Sequence, residues 1–465
     1  MLSLLRTFLL LGCLTAPMAA VRAAGPDPVA PRPLSQLLPI LEERFGARIT
    51  CKRFDPDTVR ITCALFRLRP YSLDESLDNL LRTTDLVWRR GEDDAGPRIT
   101  IQPYEYYRRT PADGERLLAW LSSLYDDRAS WERRRERLLA EAREALALEP
   151  FRRALVADPD VRLGRRIRHD GYATRNYALE TLPGLYVCGT IYEPLTAGRH
   201  PLIVSPAGHW EGGRYRRDQQ MRMATFARMG AVAVDMDIFG WGDSERQVGL
   251  EAHTADYAMQ IQALWSVAVT DWMIASRRDI DTTRMAATGG SGGATHTLLL
   301  ALCDDRFAVL APVVHLVSHF DGGCPCESRR PVTLAGGGSC MPELLAAVMA
   351  PRPTLTVSDG GDWTSTYPQL EYPFLRRIWG FYGAEASVRN AHFPDEGHDY
   401  GVNKRRAVYA FLAETLGLDL ASVDESRVEL LPERALQSFA DGLPEGALHS
   451  RGELERLLET LGKSK

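Results

Sequence analysis

Between residues 165 and 417 the chain alternates short apolar runs with helical segments, and this alternation restricts its fold more than any other feature. The strand-like runs include LYVCGTIYEP, HPLIVSPAG, AVAVDMDIFGWG, RMAATGG, FAVLAPVVH and PTLTVSDGG, and helical patterns such as RDQQMRMATFARMG lie between them. Apolar strands separated by helices are typical of a parallel sheet that is covered on both faces. We therefore expect a doubly wound, mostly parallel α/β sheet.

One of these strands, RMAATGG, runs directly into a glycine-rich stretch that contains a single serine, Ser291. The lysine of a P-loop and the third glycine of a dinucleotide fingerprint are both missing. Gly289, Ser291 and Gly293 instead match Gly-x-Ser-x-Gly, which between a strand and a helix is the nucleophile elbow of α/β-hydrolases. Ser291 is therefore the predicted nucleophile. The backbone N–H of Gly292, at the start of the helix, is a predicted oxyanion donor.

A serine nucleophile needs a histidine base and an acid that orients it, and in this fold they follow the serine in the order acid, histidine. Strand PTLTVS is followed by Asp359 and Asp362. We favour Asp362, because such acids usually lie a few residues beyond the strand, and Asp359 stays open. His398, in the glycine-flanked loop EGHDYG, is the predicted base, whereas His392 lies in a short strand. The backbone N–H of His209, after HPLIVSPAG, is the second predicted oxyanion donor.

Six segments together resemble the secreted acetyl xylan esterase-like branch of the α/β-hydrolases. They are SPAGHWEGGR, VDMDIFGWGDS, TGGSGGATHT, HFDGGCPCES, MAPRPTLTVSDGGDWT and DEGHDYG, and the resemblance covers about residues 130 to 417. It implies Ser291, Asp362 and His398 as a triad, Gly292 and His209 as the oxyanion hole, and no metal or organic cofactor. The implied activity is removal of acetyl or similar acyl groups from carbohydrates. PAGHW replaces the His-Gly-Tyr of well-studied members, which leaves the substrate open.

Two other functions stay open at this point. A serine peptidase of the prolyl-peptidase type shares this core, although the chain has no region long enough for a propeller. The second alternative is an envelope interaction protein whose hydrolase domain has lost its activity. Nucleic acid is not an expected partner, because 56 basic against 61 acidic residues give a formal net charge of -5.

The first 24 residues have the pattern of a cleaved secretory signal peptide, with a basic residue at Arg6 and an apolar core from Phe8 to Leu14. Pro17 interrupts this core too early for a membrane span, which needs about 18 or more apolar residues. We expect export to the periplasm or the extracellular space, and lipidation at Cys13 is the alternative.

Four further segments complete the predicted organisation. Residues 34–105 are predicted as a small α+β module. Its segment YSLDESLDNLLRTTDLVWRRGEDDAGPRITI resembles the short N-terminal domain of secretins and TonB-dependent receptors, which implies an envelope protein as its partner. An enzyme-specific cap is the alternative. Residues 111–150 are predicted as connecting helices, whose arginine run 133–135 lies on a solvated face among glutamates. The catalytic domain follows over 165–417, and 418–465 form a helical extension.

The cysteines of an exported chain are candidates for disulfides. Cys51 and Cys63 flank a predicted turn between two strands, and Cys324, Cys326 and Cys340 lie close together in the sequence. Their spacing lacks the paired C-x₂-C or histidine pattern of a zinc site. We therefore expect structural disulfides or free thiols and no metal.

Overall fold

The computed structural model describes residues 31–61, 68–81, 84, 86–93, 96–103, 110–328 and 332–463. The predicted signal peptide with Cys13, and Cys63 of the predicted Cys51–Cys63 pair, lie outside these ranges. The chain divides into two compact units. The first comprises Met1–Arg82 with Val87–Gln102, and the second Thr83–Leu86 with Pro103–Lys465.

The first unit combines short strands with two helices. They are β1 (Arg32–Pro33), α1 (Leu38–Phe45), β2 (Arg48–Cys51), β3 (Arg60–Ile61), α2 (Leu73–Leu81), β4 (Leu86–Asp93) and β5 (Gly96–Pro103). The sheet order is β2-β5-β4, and β1 pairs with β3. Ser72 caps the start of α2, since the Glu75 backbone N–H donates to Ser72 Oγ at 3.1 Å. Leu41, Leu77 and Ile99 are fully buried and form part of the core of this unit.

The second unit contains the remaining strands and helices. The strands are β6 (Val161–Leu163), β7 (Ile167–Arg168), β8 (Tyr172–Leu182), β9 (Leu185–Pro194), β10 (His200–Pro206), β11 (Val232–Met236), β12 (Ile280–Gly290), β13 (Val309–Val313), β14 (Thr354–Asp359) and β15 (Val388–Phe393). The helices are α3 (Pro111–Ser122), α4 (Arg128–Leu146), α5 (Glu149–Arg153), α6 (Arg217–Arg228), α7 (Asp243–Val248), α8 (Ala258–Ser276), α9 (Gly292–Cys303), α10 (Pro325–Ser328), α11 (Met341–Met349), α12 (Glu371–Gly380), α13 (Val402–Leu416), α14 (Glu433–Leu436) and α15 (Arg451–Lys463).

These strands form one ten-stranded sheet in the order β15-β14-β13-β12-β10-β11-β9-β8-β6, with β7 also paired to β8. The six strands from β15 to β11 are parallel, and β9, β8, β7 and β6 continue antiparallel. Helices α6 and α13 pack on one face, and α8 and α9 lie together on the other. The predicted doubly wound, mostly parallel sheet is confirmed. The parallel strands of this sheet all end at the same edge, and the loops that follow β12, β14 and β15 begin there.

Helix α4 differs from the sequence prediction at one arginine. Arg137 pairs with Glu141 on the exposed side, as expected for a solvated face. Arg134, however, is buried and pairs with Glu343 of α11 at 2.8 Å. The prediction that the whole run 133–135 is solvated is therefore wrong, because a partner distant in sequence compensates the buried charge.

The C-terminal segment after α13 is helical mainly at its end. Helix α14 has four residues and α15 has thirteen, and turns and short 3-10 helices make up most of the remainder. Phe439 and Ala447 are buried against Ala178 and Tyr186 of the antiparallel strands. Among the described residues, no helix is long and apolar enough to cross a membrane.

Candidate active site

Ser291 occupies the single residue between β12 and α9. Its φ of 56° and ψ of −126° are strained for a residue other than glycine, at a cost of about 1–3 kcal/mol. The Ser291 backbone N–H donates to the Val313 carbonyl at 2.9 Å, which holds the turn against the neighbouring strand. The strand-turn-helix setting that the motif requires is therefore present, and the turn lies at the carboxyl edge of the sheet.

The two outer glycines of the motif lie where backbones approach too closely for a side chain. A Cβ at Gly289 would lie 2.4 Å from the Gly293 carbonyl oxygen. A Cβ at Gly293 would lie 2.5 Å from the Pro206 carbonyl oxygen. Any larger residue would push α9 away from β12 or from the end of β10.

His398 connects Ser291 to Asp362. Its Nε2 lies 2.9 Å from Ser291 Oγ, and its Nδ1 lies 2.5 Å from Asp362 Oδ2. The other oxygen of Asp362 accepts hydrogen bonds from the Thr364 N–H and hydroxyl, both at 2.5 Å. Burial alone would raise the pKa of Asp362, but the hydrogen bonds from His398 and Thr364 outweigh it and hold the pKa below its usual value. The carboxylate is therefore ionised and fixes the orientation of the imidazole.

Asp359, the alternative acid, has a different partner. Its Oδ2 lies 3.0 Å from Lys404 Nζ, and both side chains are fully buried. Burial and the neighbouring Asp362 raise the pKa of Asp359 to about 6. His392, the other histidine of this region, lies in β15, where its Nδ1 is 2.9 Å from Ser358 Oγ. The structure thus brings Asp362, rather than Asp359, to His398.

The two predicted oxyanion donors come from neighbouring segments. Gly292 is the first residue of α9, where backbone N–H groups have no acceptor within the helix. His209 follows β10, and its Nδ1 lies 2.1 Å from the position that a Cβ on Gly292 would take. The loop that carries His209 therefore packs directly on the elbow.

Two indole rings flank the imidazole of His398. The ring of Trp210 lies 5.4 Å from it and that of Trp363 lies 4.4 Å from it, between centroids. Phe320 extends this aromatic wall, with its centroid 4.7 Å from that of Trp363. His398 keeps 24% of its side chain exposed, so its imidazole is enclosed but accessible to solvent.

A cluster of histidine and cysteine side chains lies behind the loop of His209. His209 Nε2 is 3.0 Å from Cys326 Sγ and 3.3 Å from Cys324 Sγ, and the two sulfurs are 3.1 Å apart. Burial raises the pKa of the Cys324 thiol, but a hydrogen bond from Cys326 and the imidazoles of His209 and His253 lower it well below its usual value. His296, which follows the elbow on α9, places its Nε2 3.4 Å from Cys326 Sγ.

All six cysteines in the described ranges are free thiols, so this part of the structure holds no disulfide. They are Cys51, Cys188, Cys303, Cys324, Cys326 and Cys340. The cluster could not be predicted from the sequence, because its histidines come from segments far from the cysteines. Each histidine, taken alone, looked like an ordinary polar residue.

The chain is similar over almost its whole length to a methylesterase of known structure. Methylesterase BT1017 is 48% identical, and the match covers 93% of this chain and 98% of that chain with a TM-score of 0.76. The chain belongs to the family of this methylesterase. It is therefore an α/β-hydrolase and a carboxylic ester hydrolase, as the resemblance in the sequence implied. A match over 93% of this chain must include at least part of its N-terminal unit, so Methylesterase BT1017 is similar there too.

Other solved structures are similar at much lower identity. A glucuronoyl esterase from Solibacter usitatus is 13% identical, with a TM-score of 0.43, over 62% of this chain and 94% of that chain. An acetyl xylan esterase from Paenibacillus sp. R4 is 18% identical, with a TM-score of 0.40, over 60% of this chain and 94% of that chain. No protein-family model and no curated protein matches the chain.

Proposed function

We propose that this protein is a serine esterase that hydrolyses methyl esters of carboxyl groups carried by a carbohydrate. Ser291 is the nucleophile, His398 the base and Asp362 the orienting acid. The observation that carries the proposal is the continuous hydrogen-bonded series from Ser291 Oγ to Asp362, at 2.9 and 2.5 Å, in a chain 48% identical to a methylesterase.

The reaction follows from the order of these groups. His398 Nε2 accepts the proton of Ser291 Oγ as the oxygen attacks the ester carbonyl. The N–H groups of Gly292 and His209 stabilise the negative oxygen of the tetrahedral intermediate. His398 then gives the proton to the leaving methoxy group, and methanol departs. Water then gives a proton to His398 and attacks the acyl-enzyme, and His398 returns that proton to Ser291 Oγ as the carbohydrate carboxylate leaves.

The surroundings of His398 support methanol as the leaving group. Because His398 protonates the leaving oxygen, that group departs on the side of the imidazole. Trp210 and Trp363 enclose this side at ring distances of 5.4 and 4.4 Å. A methyl ester places its smallest part there and its sugar on the acyl side. An acetylated sugar, the substrate that the sequence resemblance implies, would have to place its sugar there instead.

The test measures the two products separately. Methyl-esterified oligogalacturonides and acetylated xylo-oligosaccharides are incubated with the full chain, and methanol and acetate are quantified. We expect methanol release, and Ser291→Ala should lower kcat by about 10⁵-fold or more, as for other serine nucleophiles. Ser450→Ala, which changes an exposed serine, should have the wild-type rate.

Four outcomes would contradict the proposal in different ways. Acetate release without methanol would favour the deacetylase. Equal rates for wild type and Ser291→Ala would remove the nucleophile assignment. A chain that a fluorophosphonate probe fails to label would support the inactive envelope protein, whereas labelling with turnover only of proline-containing peptides would support the peptidase.

A further inference from the structure

We propose that His209, His253, Cys324 and Cys326 bind a divalent metal ion of the zinc type. One ring nitrogen of each histidine and the two sulfurs all lie within 4.8 Å of one another. Two thiolates and two imidazoles form a donor set typical of tetrahedral structural zinc. The cluster lies beside the candidate active site, but none of its side chains takes part in the proposed proton transfers.

The distances between donors are close to those of a coordination sphere. His209 Nε2 lies 3.0 and 3.3 Å from the two sulfurs, which are 3.1 Å from each other. Around a tetrahedral zinc ion, with bonds of about 2.0 Å to nitrogen and 2.3 Å to sulfur, neighbouring donors lie about 3.3–3.8 Å apart. An outward movement of a few tenths of an ångström by His209, Cys324 and Cys326 would bring these three donors to the spacing that the ion requires.

His253 is oriented as a metal ligand. Its Nδ1 donates to the Phe239 carbonyl oxygen at 2.7 Å, which leaves the lone pair on Nε2. The Nε2 atom is buried, with only 6% of the residue exposed, and has no hydrogen-bond partner among the described residues. A buried nitrogen acceptor without a donor costs free energy, and a metal ion in the cluster would remove that cost.

Glu327 lies next to the cluster. Its Oε1 accepts from the Gly323 N–H at 2.9 Å and lies 3.7 Å from Cys324 Sγ and 4.0 Å from His209 Nδ1. A carboxylate this close to the donor atoms favours a cation among them. Binding of the ion releases the two thiol protons to solvent, and two thiolates then balance its two positive charges.

With four protein ligands the ion has no open position, so its role is structural. It would connect the loop after β10, the short helix Leu250–Thr254 and the start of α10, where both cysteines lie. His209 supplies the proposed oxyanion N–H, so the ion would hold this donor beside Gly292. That last consequence rests on the proposed function, whereas the metal site itself does not.

The experiment measures metal content on the full chain without a histidine tag. Wild type, Ser291→Ala, Cys326→Ser, His253→Ala and Cys303→Ser are exposed to zinc, desalted and analysed by inductively coupled plasma mass spectrometry. We expect about one zinc per chain in the wild type, in Ser291→Ala and in Cys303→Ser, whose sulfur lies on α9 outside the cluster. Both cluster variants should lose it. Retention in Ser291→Ala separates the metal site from the esterase activity.

Cobalt substitution provides a readout that depends on the ligands themselves. Cobalt bound by two thiolates should give sulfur charge-transfer absorption, which Cys326→Ser should weaken, and circular dichroism checks that each variant is folded. Less than about 0.1 zinc per wild-type chain would overturn the proposal. Equal zinc content in the wild type and both cluster variants would also overturn it. A wild-type mass that is lower by two hydrogens, because Cys324 and Cys326 form a disulfide, would do the same.

Discussion

Among single residues, the two carboxylates at the carboxyl end of β14, Asp359 and Asp362, have different contacts. Asp362 binds His398, and its second oxygen accepts from the Thr364 N–H and hydroxyl at 2.5 Å. In Asp362→Asn the amide oxygen would face Thr364 and the NH₂ would face His398, which favours the wrong imidazole tautomer. We expect kcat for methyl ester hydrolysis to fall by about 10⁴-fold, with the fold retained.

Asp359→Asn is the matched control for this prediction. It removes one partner of Lys404, which keeps a hydrogen bond to Asp399 Oδ1 at 2.7 Å. We expect kcat to stay within about tenfold of wild type, with the loss confined to unfolding free energy. The assignment of Asp362 as the acid is wrong if Asp359→Asn is the slower enzyme under conditions in which both variants are folded.

The choice between these residues illustrates how far the site could be predicted from the sequence. The order Ser, Asp, His and the glycine spacing led to Ser291, Asp362 and His398, because strand ends and motifs are local features. The histidine–cysteine cluster was out of reach. His209 lies about 115 residues and His253 about 70 residues before Cys324 along the chain, and nothing in the sequence indicates that these side chains meet.

Between elements, a buried ion pair joins α4 to α11. Arg134 Nε and Nη2 donate to Glu343 at 3.0 and 2.8 Å, and Nη2 also donates to the Gly338 carbonyl at 2.7 Å. Arg134→Met would leave Glu343 buried without its cation. We expect a loss of about 3–5 kcal/mol in unfolding free energy, measured by urea denaturation.

The same helix offers a control. Arg137→Met removes the exposed pair with Glu141 and should cost less than about 1 kcal/mol. Similar losses of unfolding free energy in Arg134→Met and Arg137→Met would contradict the inference that burial makes the Arg134 ion pair the more important one. Arg134 lies on the buried face of α4 with Trp131 and Leu138, and its partner Glu343 is about two hundred residues away in the sequence. The helices themselves were predictable, but this contact between them was not.

At the scale of the whole molecule, the chain after α13 returns to the antiparallel end of the sheet. Asp243 is fully buried, binds Arg214 Nη2 at 2.7 Å, and accepts from the backbone N–H groups of Ser438 and Phe439 at 2.7 and 3.1 Å. Arg214 in turn binds Asp237 at 2.7 Å. A buried carboxylate of the catalytic unit thus accepts hydrogen bonds from backbone N–H groups that lie about two hundred residues later in the chain. The C-terminal segment is therefore part of that unit.

Phe439 is the residue that tests this conclusion. It is 2% exposed and meets the ring of Tyr186 edge to face at 5.8 Å. Phe439→Ala should lower the unfolding free energy by about 3–5 kcal/mol, because a cavity forms against β9. Leu430→Ala, at a position 37% exposed in the same segment, should cost less than about 0.5 kcal/mol. If chemical denaturation gives equal, small losses for both, the segment is an appendage, and deleting it should leave a stable catalytic unit.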